Sequence, residues 1–347
     1  MNIPSKSWAK TSPPARILAI RLQAMGDLVI TLPYLQQLRN TLPPNSRLDL
    51  LTREEVDTIP KNLLLFNHVY SIAGGRDLKK QLFFTFLMLP RLWEHRYDVV
   101  LDLQNNIISK IVRRAIRPKA WSEFDRFSPV AAGECTRLTI EAAGMDNSYA
   151  DHRFRLSKPS GEIDLLKENG WDSSNELVVL NPAGAFPSRN WPIENYLLFA
   201  NLWKEYYPNT QFLMLGTNLI SSKAAYLKNE LGPYLIDLTD KTTPIQAFAI
   251  VQYAKLVLSE DSGLMHMSWV SGIPTVTIFG STWGARARPL GEHTCFLDSS
   301  DLPCGNCRQE ICKYGDTHCL TRYTPQFIFE KALSLVSPLT GSNTSSE

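Results

Sequence analysis

The sequence predicts an α/β protein of two domains, each a parallel sheet wrapped by helices in the Rossmann-like manner. Short apolar runs alternate with helical patterns through both halves, which is the signature of repeated β–α units. That alternation breaks once, at residues 157–176 ("SKPSGEIDLLKENGWDSSNE"), where Pro, Gly and Ser content suits an interdomain connection carrying one short helix. Polar residues and glycines gather where apolar runs end, and in an open parallel sheet those carboxyl ends are where ligands lie.

The expected layout is therefore a disordered segment at 1–14, a first domain at 15–156, the connection at 157–176, a second domain at 177–337 and a disordered tail at 338–347. In the first domain residues 15–22 ("ARILAIRL") read as a strand, followed by the loop "QAMGD" and the helical pattern "LPYLQQLRN". Pro33 fits a first helical turn, so that helix is expected to begin near Thr31 or to kink there. Further strands are expected at 48–52, 69–72 and 99–103. The second domain repeats the pattern: strand 177–181, helix 194–206, strand 211–215, helix 221–231 and strand 235–238. A helix capped by Thr243 with Pro244 in its first turn leads into a strand at 255–259 and a helix at 262–271, stopped by Gly272 and Pro274.

Composition narrows the function classes. The chain has 347 residues, 44% of them hydrophobic and 20% charged, and a net charge of only +2, which gives no support for a nucleic-acid binder. Its first residues lack the apolar core of a secretory signal, and the longest apolar run, 82–89, is far short of the ~20 residues needed to span a bilayer. A cytoplasmic location is expected. With Lys79 and Lys80 before that run and Arg91 after it, a helix at 79–93 can rest on a membrane surface; the other reading is a core helix.

Cys304, Cys307, Cys312 and Cys319 follow a Cys-x2-Cys-x4-Cys-x6-Cys spacing, which suits a small zinc knuckle better than disulfides in a cytosolic chain. No carboxylate or histidine joins them at ligand spacing, so a catalytic metal is not expected.

Four loops could carry chemistry. In "LQAMGDLVITLP", Asp27 follows Gly26 at the carboxyl end of the first strand; it is either a helix cap or a general base for a sugar hydroxyl. In "NPAGAFPSRNWP", Gly184 and Ala185 leave backbone accessible, and Arg189 brings a donor fork suited to phosphate oxygens. In "LSEDSGLMHMSWVSGIP", Asp261 is the expected N-cap, Ser262 and Gly263 open the first turn to an anion, and His266 lies one turn further in; the bland reading is a capped helix with a core histidine. The loop "LMLGTN" offers a third contact at the same edge. Two anion-binding devices in one domain point to a diphosphate. An NAD-dependent oxidoreductase is disfavoured, because no Gly-x-Gly-x-x-Gly follows the first strand.

The segments "ILAIRLQAMGDLVITLPYLQQLR", "LNPAGAFPSRNWPIENY", "LGTN", "EDSGLMHMSWVSGIPTVTIFGST" and "CGNCRQEICKYGDTHCL", in that order, resemble glycosyltransferase family 9, the lipopolysaccharide heptosyltransferases. The last segment is similar to the heptosyltransferase II branch. The resemblance implies a GT-B fold, with two Rossmann-like domains facing across a cleft, and an inverting transfer that needs no metal or other cofactor. It implies ADP-heptose as the nucleotide-sugar donor and a hydroxyl of the lipopolysaccharide inner core as acceptor. By position, Asp27 matches the family's general base, Arg189 a basic residue that contacts donor phosphates, and Asp261, Ser262, Gly263 and His266 the donor-binding turn. Gly184 and Ala185 stand where members often carry hydroxyl residues, and "GTNLISSK" lacks the glutamate that some members place near the ribose.

An anionic acceptor calls for positive charge on the first domain, and Arg113, Arg114, Arg117, Lys119, Arg126 and Arg137 are candidates; a solvated basic face explains the same run. The rival functions are a nucleotide-sugar epimerase or hydrolase on the same architecture, and a noncatalytic nucleotide-sugar-binding protein. Peripheral contact with the inner membrane surface is a further expectation.

Overall fold

The computed structural model describes residues 3–146, 151–156 and 161–337. The expected tail at 338–347 and the start of the expected connection, 157–160, lie outside the described residues. The chain forms two compact units: one takes in the chain up to residue 159 with Thr243–Ile245 and Ala285–Arg288, the other the remainder.

The first unit contains β1 (Ser5–Lys6), β2 (Arg16–Ile20), α1 (Met25–Thr41), β3 (Arg47–Arg53), α2 (Thr58–Lys61), β4 (His68–Ile72), α3 (Leu78–Glu94), β5 (Val99–Asp102), α4 (Ile107–Ile116), β6 (Ala120–Glu123) and α5 (Ala132–Ala142). Its sheet runs β1-β6-β5-β2-β3-β4, parallel except for β1, which pairs antiparallel with β6. Ser5 and Lys6 therefore belong to the sheet, although 1–14 was expected to be disordered: the edge of β6 offers unpaired backbone groups, and a short polar strand satisfies them. β2 sits between β3 and β5, so the chain turns outward in both directions from it, and Ile17, Leu18, Ala19 and Ile20 are wholly buried. α1 begins at Met25 and runs through Pro33, ahead of the start expected near Thr31. Its start is set by Asp27, whose carboxylate accepts the backbone N–H of Ala24.

The second unit contains α6 (Glu162–Glu168), β7 (Glu176–Asn181), α7 (Ile193–Tyr206), β8 (Thr210–Met214), α8 (Ser221–Leu231), β9 (Leu235–Asp237), α9 (Pro244–Val251), β10 (Ala254–Glu260), α10 (Gly263–Val270), β11 (Thr275–Ile278), α11 (Gly284–Ala287), β12 (Thr294–Leu297), α12 (His318–Thr321) and α13 (Pro325–Val336), apart from the short pieces of α9 and α11 that group with the first unit. Its sheet is fully parallel in the order β12-β11-β10-β7-β8-β9. Trp191, Tyr196, Phe199 and Trp203, on and just before α7, pack with Phe212 of β8 and Ile328 of α13 into one apolar layer.

Both sheets have the doubly wound order, in which the chain steps away from a first strand in one direction and then returns to build the other side. The reversal falls between β2 and β5 in one unit and between β7 and β10 in the other. A crevice opens at the carboxyl ends of two such strands, because their following loops diverge to opposite faces. Among the described residues no helix is long and apolar enough to cross a membrane.

Candidate functional site

In the first unit the reversal brings the loop after β2 against the loop after β5. Gln104 stitches them, its Oε1 accepting the backbone N–H groups of Leu22 at 2.9 Å and Gln23 at 3.0 Å. Arg21, buried at the end of β2, donates to the Leu103 carbonyl and lies 5.0 Å from the Phe124 ring centroid. Its other guanidinium nitrogen meets Asp27 at 2.8 Å. Asp27 Oδ2 accepts the Ala24 N–H at 3.0 Å, and the side chain is 42% exposed. Asp27 is thus part of the cap of α1 and also an oriented, partly exposed carboxylate.

A cavity of about 970 Å³ opens over this carboxylate. Arg21, Arg53, Arg76, Arg126 and Arg286 line it, against Asp27 and Glu55 as the acids. Arg53 is held by Glu55 and by Gln23 Oε1 at 2.6 Å. Arg286 belongs to the short segment grouped with this unit, donates to the Ser128 carbonyl at 2.9 Å, and has its basicity lowered chiefly by burial. Of the basic residues expected here only Arg126 lines the cavity. Arg113 is buried in an ion pair with Glu123, Lys119 pairs with Asp98 at 2.6 Å, and Arg137 is shared by Glu134 and Glu141. The positive lining comes instead from Arg21, Arg53 and Arg76, which lie far apart in sequence and reach one place through the sheet order.

In the second unit the reversal sets residues 182–192 against the end of β10. Glu260, with no exposed surface, accepts the backbone N–H groups of Gly184 at 2.6 Å and Trp191 at 2.7 Å. Burial pushes its pKa up to about 7, opposed by the charge of Lys223 and by these two bonds. Lys223 donates to the Pro182 carbonyl at 2.6 Å and to Asn190. The amide of Gly184 is therefore spent inside the protein and is not an open donor, as the sequence suggested; the absence of a side chain is what matters, since a Cβ there would lie 2.4 Å from the Arg189 carbonyl oxygen. Ala185 is exposed beside it.

Asp261 does not cap α10. Its Oδ2 takes Arg189 at 2.9 Å and the Thr282 hydroxyl at 2.8 Å, and Ser262 becomes the N-cap, accepting the Met265 N–H at 3.3 Å. A carboxylate next to a guanidinium gains more from that pair than from a neutral amide, which leaves the adjacent hydroxyl for the cap. Asn181 donates to Ser262 Oγ at 2.6 Å and to Ser259 Oγ at 2.8 Å, fixing the end of β7 to the turn. Nothing lies within 4 Å of the Cβ position of Gly263, so the start of α10 is open to a visitor. Arg189 Nε is buried without a hydrogen-bond partner among the described residues, a donor that an anion at this turn would satisfy. His266 is buried, and its Nδ1 accepts the Trp269 indole N–H at 3.0 Å, which ties the ring to its own helix.

All six cysteines are unpaired thiols. Among the described residues no group of three or more His, Cys, Asp or Glu side chains is arranged to hold a metal ion; Cys304, Cys307 and Cys312 nevertheless lie near enough to Cys319 for their charges to bear on its thiol.

Asp27 thus stands at one strand reversal, and Arg189, Asp261, Ser262 and Gly263 converge at the other. Glu260, Lys223 and Asn181 support that turn and were not singled out from sequence, although Glu260 sits within the quoted "LSEDSG" motif.

Comparison with known proteins fits this geometry. Residues 88–318 match the model of glycosyltransferase family 9 (heptosyltransferase). Lipooligosaccharide heptosyltransferase 2 of Campylobacter jejuni is 26% identical over 50% of this chain, and the chain spans only about half the length of that relative, 54%. Lipopolysaccharide heptosyltransferase 1 of Pseudomonas aeruginosa is 24% identical over 90% of this chain and 95% of its own. Among solved structures, the E. coli ADP-heptose lps heptosyltransferase II superposes with a TM-score of 0.71 at 17% identity, covering 92% of this chain and 98% of that one. With a family match over well more than half of its length and two doubly wound sheets of the GT-B type, the chain belongs to glycosyltransferase family 9, the heptosyltransferase family.

Proposed function

We propose that the protein transfers a heptose from ADP-heptose to a hydroxyl of the lipopolysaccharide inner core, with inversion at the anomeric carbon, at the cytoplasmic face of the inner membrane. The observation that carries this reading is the turn at the second reversal: a partly exposed guanidinium, paired with Asp261, whose buried Nε is unsatisfied among the described residues, beside an unobstructed helix start at Gly263. Both features favour an anion, and together they suit the diphosphate of a nucleotide sugar. The relatives named above supply the donor and acceptor classes, and the arginine-rich cavity of the first unit agrees with an acidic acceptor.

In the proposed step the acceptor hydroxyl oxygen forms a bond to the anomeric carbon while the bond from that carbon to the diphosphate oxygen breaks. Asp27 takes the hydroxyl proton. ADP leaves from the opposite face with the bonding electron pair. Arg189 and the amides that open α10 stabilise the charge growing on it, each well-placed donor contributing about 3–4 kcal/mol by comparison with oxyanion holes. The protein's own residues supply the proton acceptor and the counter-charge, so the proposal enlists no metal or organic cofactor.

Incubation with a panel of ADP-, GDP- and UDP-sugars and core-oligosaccharide acceptors, read by mass spectrometry, tests the reading. The expected result is one heptose added to the acceptor from the ADP sugar only. Release of ADP without any acceptor, or an isomerised donor, would instead favour a hydrolase or epimerase, and an intact donor a binding protein.

A further inference from the structure

α3 carries apolar side chains on its outward side as well as on the side that packs on the core. The side chains it buries are Gln81, Thr85, Leu89 and Leu92, two of them polar, whereas Phe83, Phe86 and Leu87 are 59%, 57% and 62% exposed. At about 100° per residue, Phe83, Phe86, Leu87 and Pro90 share one outward face. Lys79 lies on that face near its edge, and Lys80 and Arg91 flank it, all three exposed. Within Leu78–Glu94 the only acid is Glu94 at the far end, and Asp77, just before the helix, is occupied in capping it through the N–H groups of Lys79 and Lys80. Trp93 is half exposed, its indole N–H bonded to the Ala115 carbonyl of α4 at 3.0 Å.

An apolar row of this size left in water marks a contact surface. Its chemistry selects the partner. Long cationic side chains beside bulky apolar ones can keep their charges at phosphate level while the apolar groups enter the acyl boundary, the pattern of helices that lie in a membrane interface. We propose that α3 seats this protein on an anionic lipid bilayer, with Phe83, Phe86 and Leu87 in the headgroup boundary and Lys79, Lys80 and Arg91 on lipid phosphates. Leu78 and Gln81, on the other side of the same helix near its start, line the arginine-rich cavity, so one helix borders both that cavity and the proposed seat. The value of that adjacency to a lipid-linked acceptor rests on the function proposed above; the seating itself does not.

The test is co-sedimentation of the full chain, without substrates, with phosphatidylcholine vesicles that contain about one third phosphatidylglycerol. The wild type should sediment with them, and only weakly with pure phosphatidylcholine. The triple variant Phe83→Glu/Phe86→Glu/Leu87→Glu and the pair Lys79→Glu/Lys80→Glu should each bind about tenfold more weakly or worse, the pair's defect shrinking at high salt. The single variant Phe86→Ser, checked by circular dichroism, covers the case in which the triple variant fails to fold, and it should show a smaller loss in the same direction. A wild type that stays in the supernatant, or a folded triple variant that sediments as well as wild type, overturns the proposal. Transfer to a water-soluble, deacylated acceptor separates the two claims. The triple variant should keep wild-type turnover there, and a wild type that binds vesicles but transfers nothing sinks the transferase reading while leaving the seat in place.

Discussion

The two strand reversals share a topology and differ in how they are finished. At the second, charged and polar groups are locked into one another: Glu260 holds two backbone N–H groups, Asp261 holds Arg189 and Thr282, and Asn181 holds Ser262. At the first, a wide cavity is lined by arginines, among which Arg76 and Arg126 are exposed, and the central carboxylate is nearly half exposed. A tight, internally bonded turn suits one ligand of fixed shape, since little need reorganise on binding. A broad cationic cavity suits a larger, branched anion recognised by charge.

The largest effect expected from breaking this contrast is at Asp27. Replacement by Ala should lower turnover by about 10²–10⁴-fold, the usual contribution of a positioned general base, with the effect in kcat and not in donor affinity. Steady-state kinetics on the true acceptor checks it. Next comes Gly184→Ala, which drives a Cβ to 2.4 Å from the Arg189 carbonyl and should cost about 2–3 kcal/mol of stability in denaturant unfolding.

Glu260→Gln should cost about 2 kcal/mol, because a carboxamide cannot accept from both Gly184 and Trp191 with both of its heavy atoms. It should also remove a pH dependence. The folded pKa of Glu260, about 7, lies above its ordinary value of 4.5, so the folded state holds the extra proton between them. The stability this group contributes is full below about pH 4.5, declines as pH rises to about 7 and is flat above. Unfolding of the Gln variant across that window should lack the decline. The smallest effect is at Ser262→Ala, which deletes the cap of α10 and should cost about 1 kcal/mol by thermal melting.

Much of the fold was legible because its strands are buried on both faces and read as unbroken apolar runs, as in Arg16–Ile20 and Ala254–Glu260. The start of α1 was not: Pro33 invites a helix start, and only the bond from Ala24 to Asp27 places it earlier. At the second reversal the right residues were visible, but their roles were exchanged. Asp261 and Ser262 are both good caps, and Arg189, 72 positions away, decides between them. The supports Arg21 and Glu260 escaped notice because a buried charge is meaningful only with its partners, and those are brought in by the sheet. The basic run at 111–121 is divided for the same reason: Glu123 and Asp98 hold Arg113 and Lys119, whereas Arg114 lines a smaller cavity with Arg126.

The division of labour between the two sites is tested most directly by calorimetric titration of ADP into wild type, Asp27→Ala and Arg189→Ala. Wild-type affinity is expected for Asp27→Ala and a loss of about 10²-fold or more for Arg189→Ala, which also removes the charge partner of Asp261 and leaves it only the Thr282 hydroxyl. Equal weakening by both changes, or unaltered affinity in Arg189→Ala, would contradict that division.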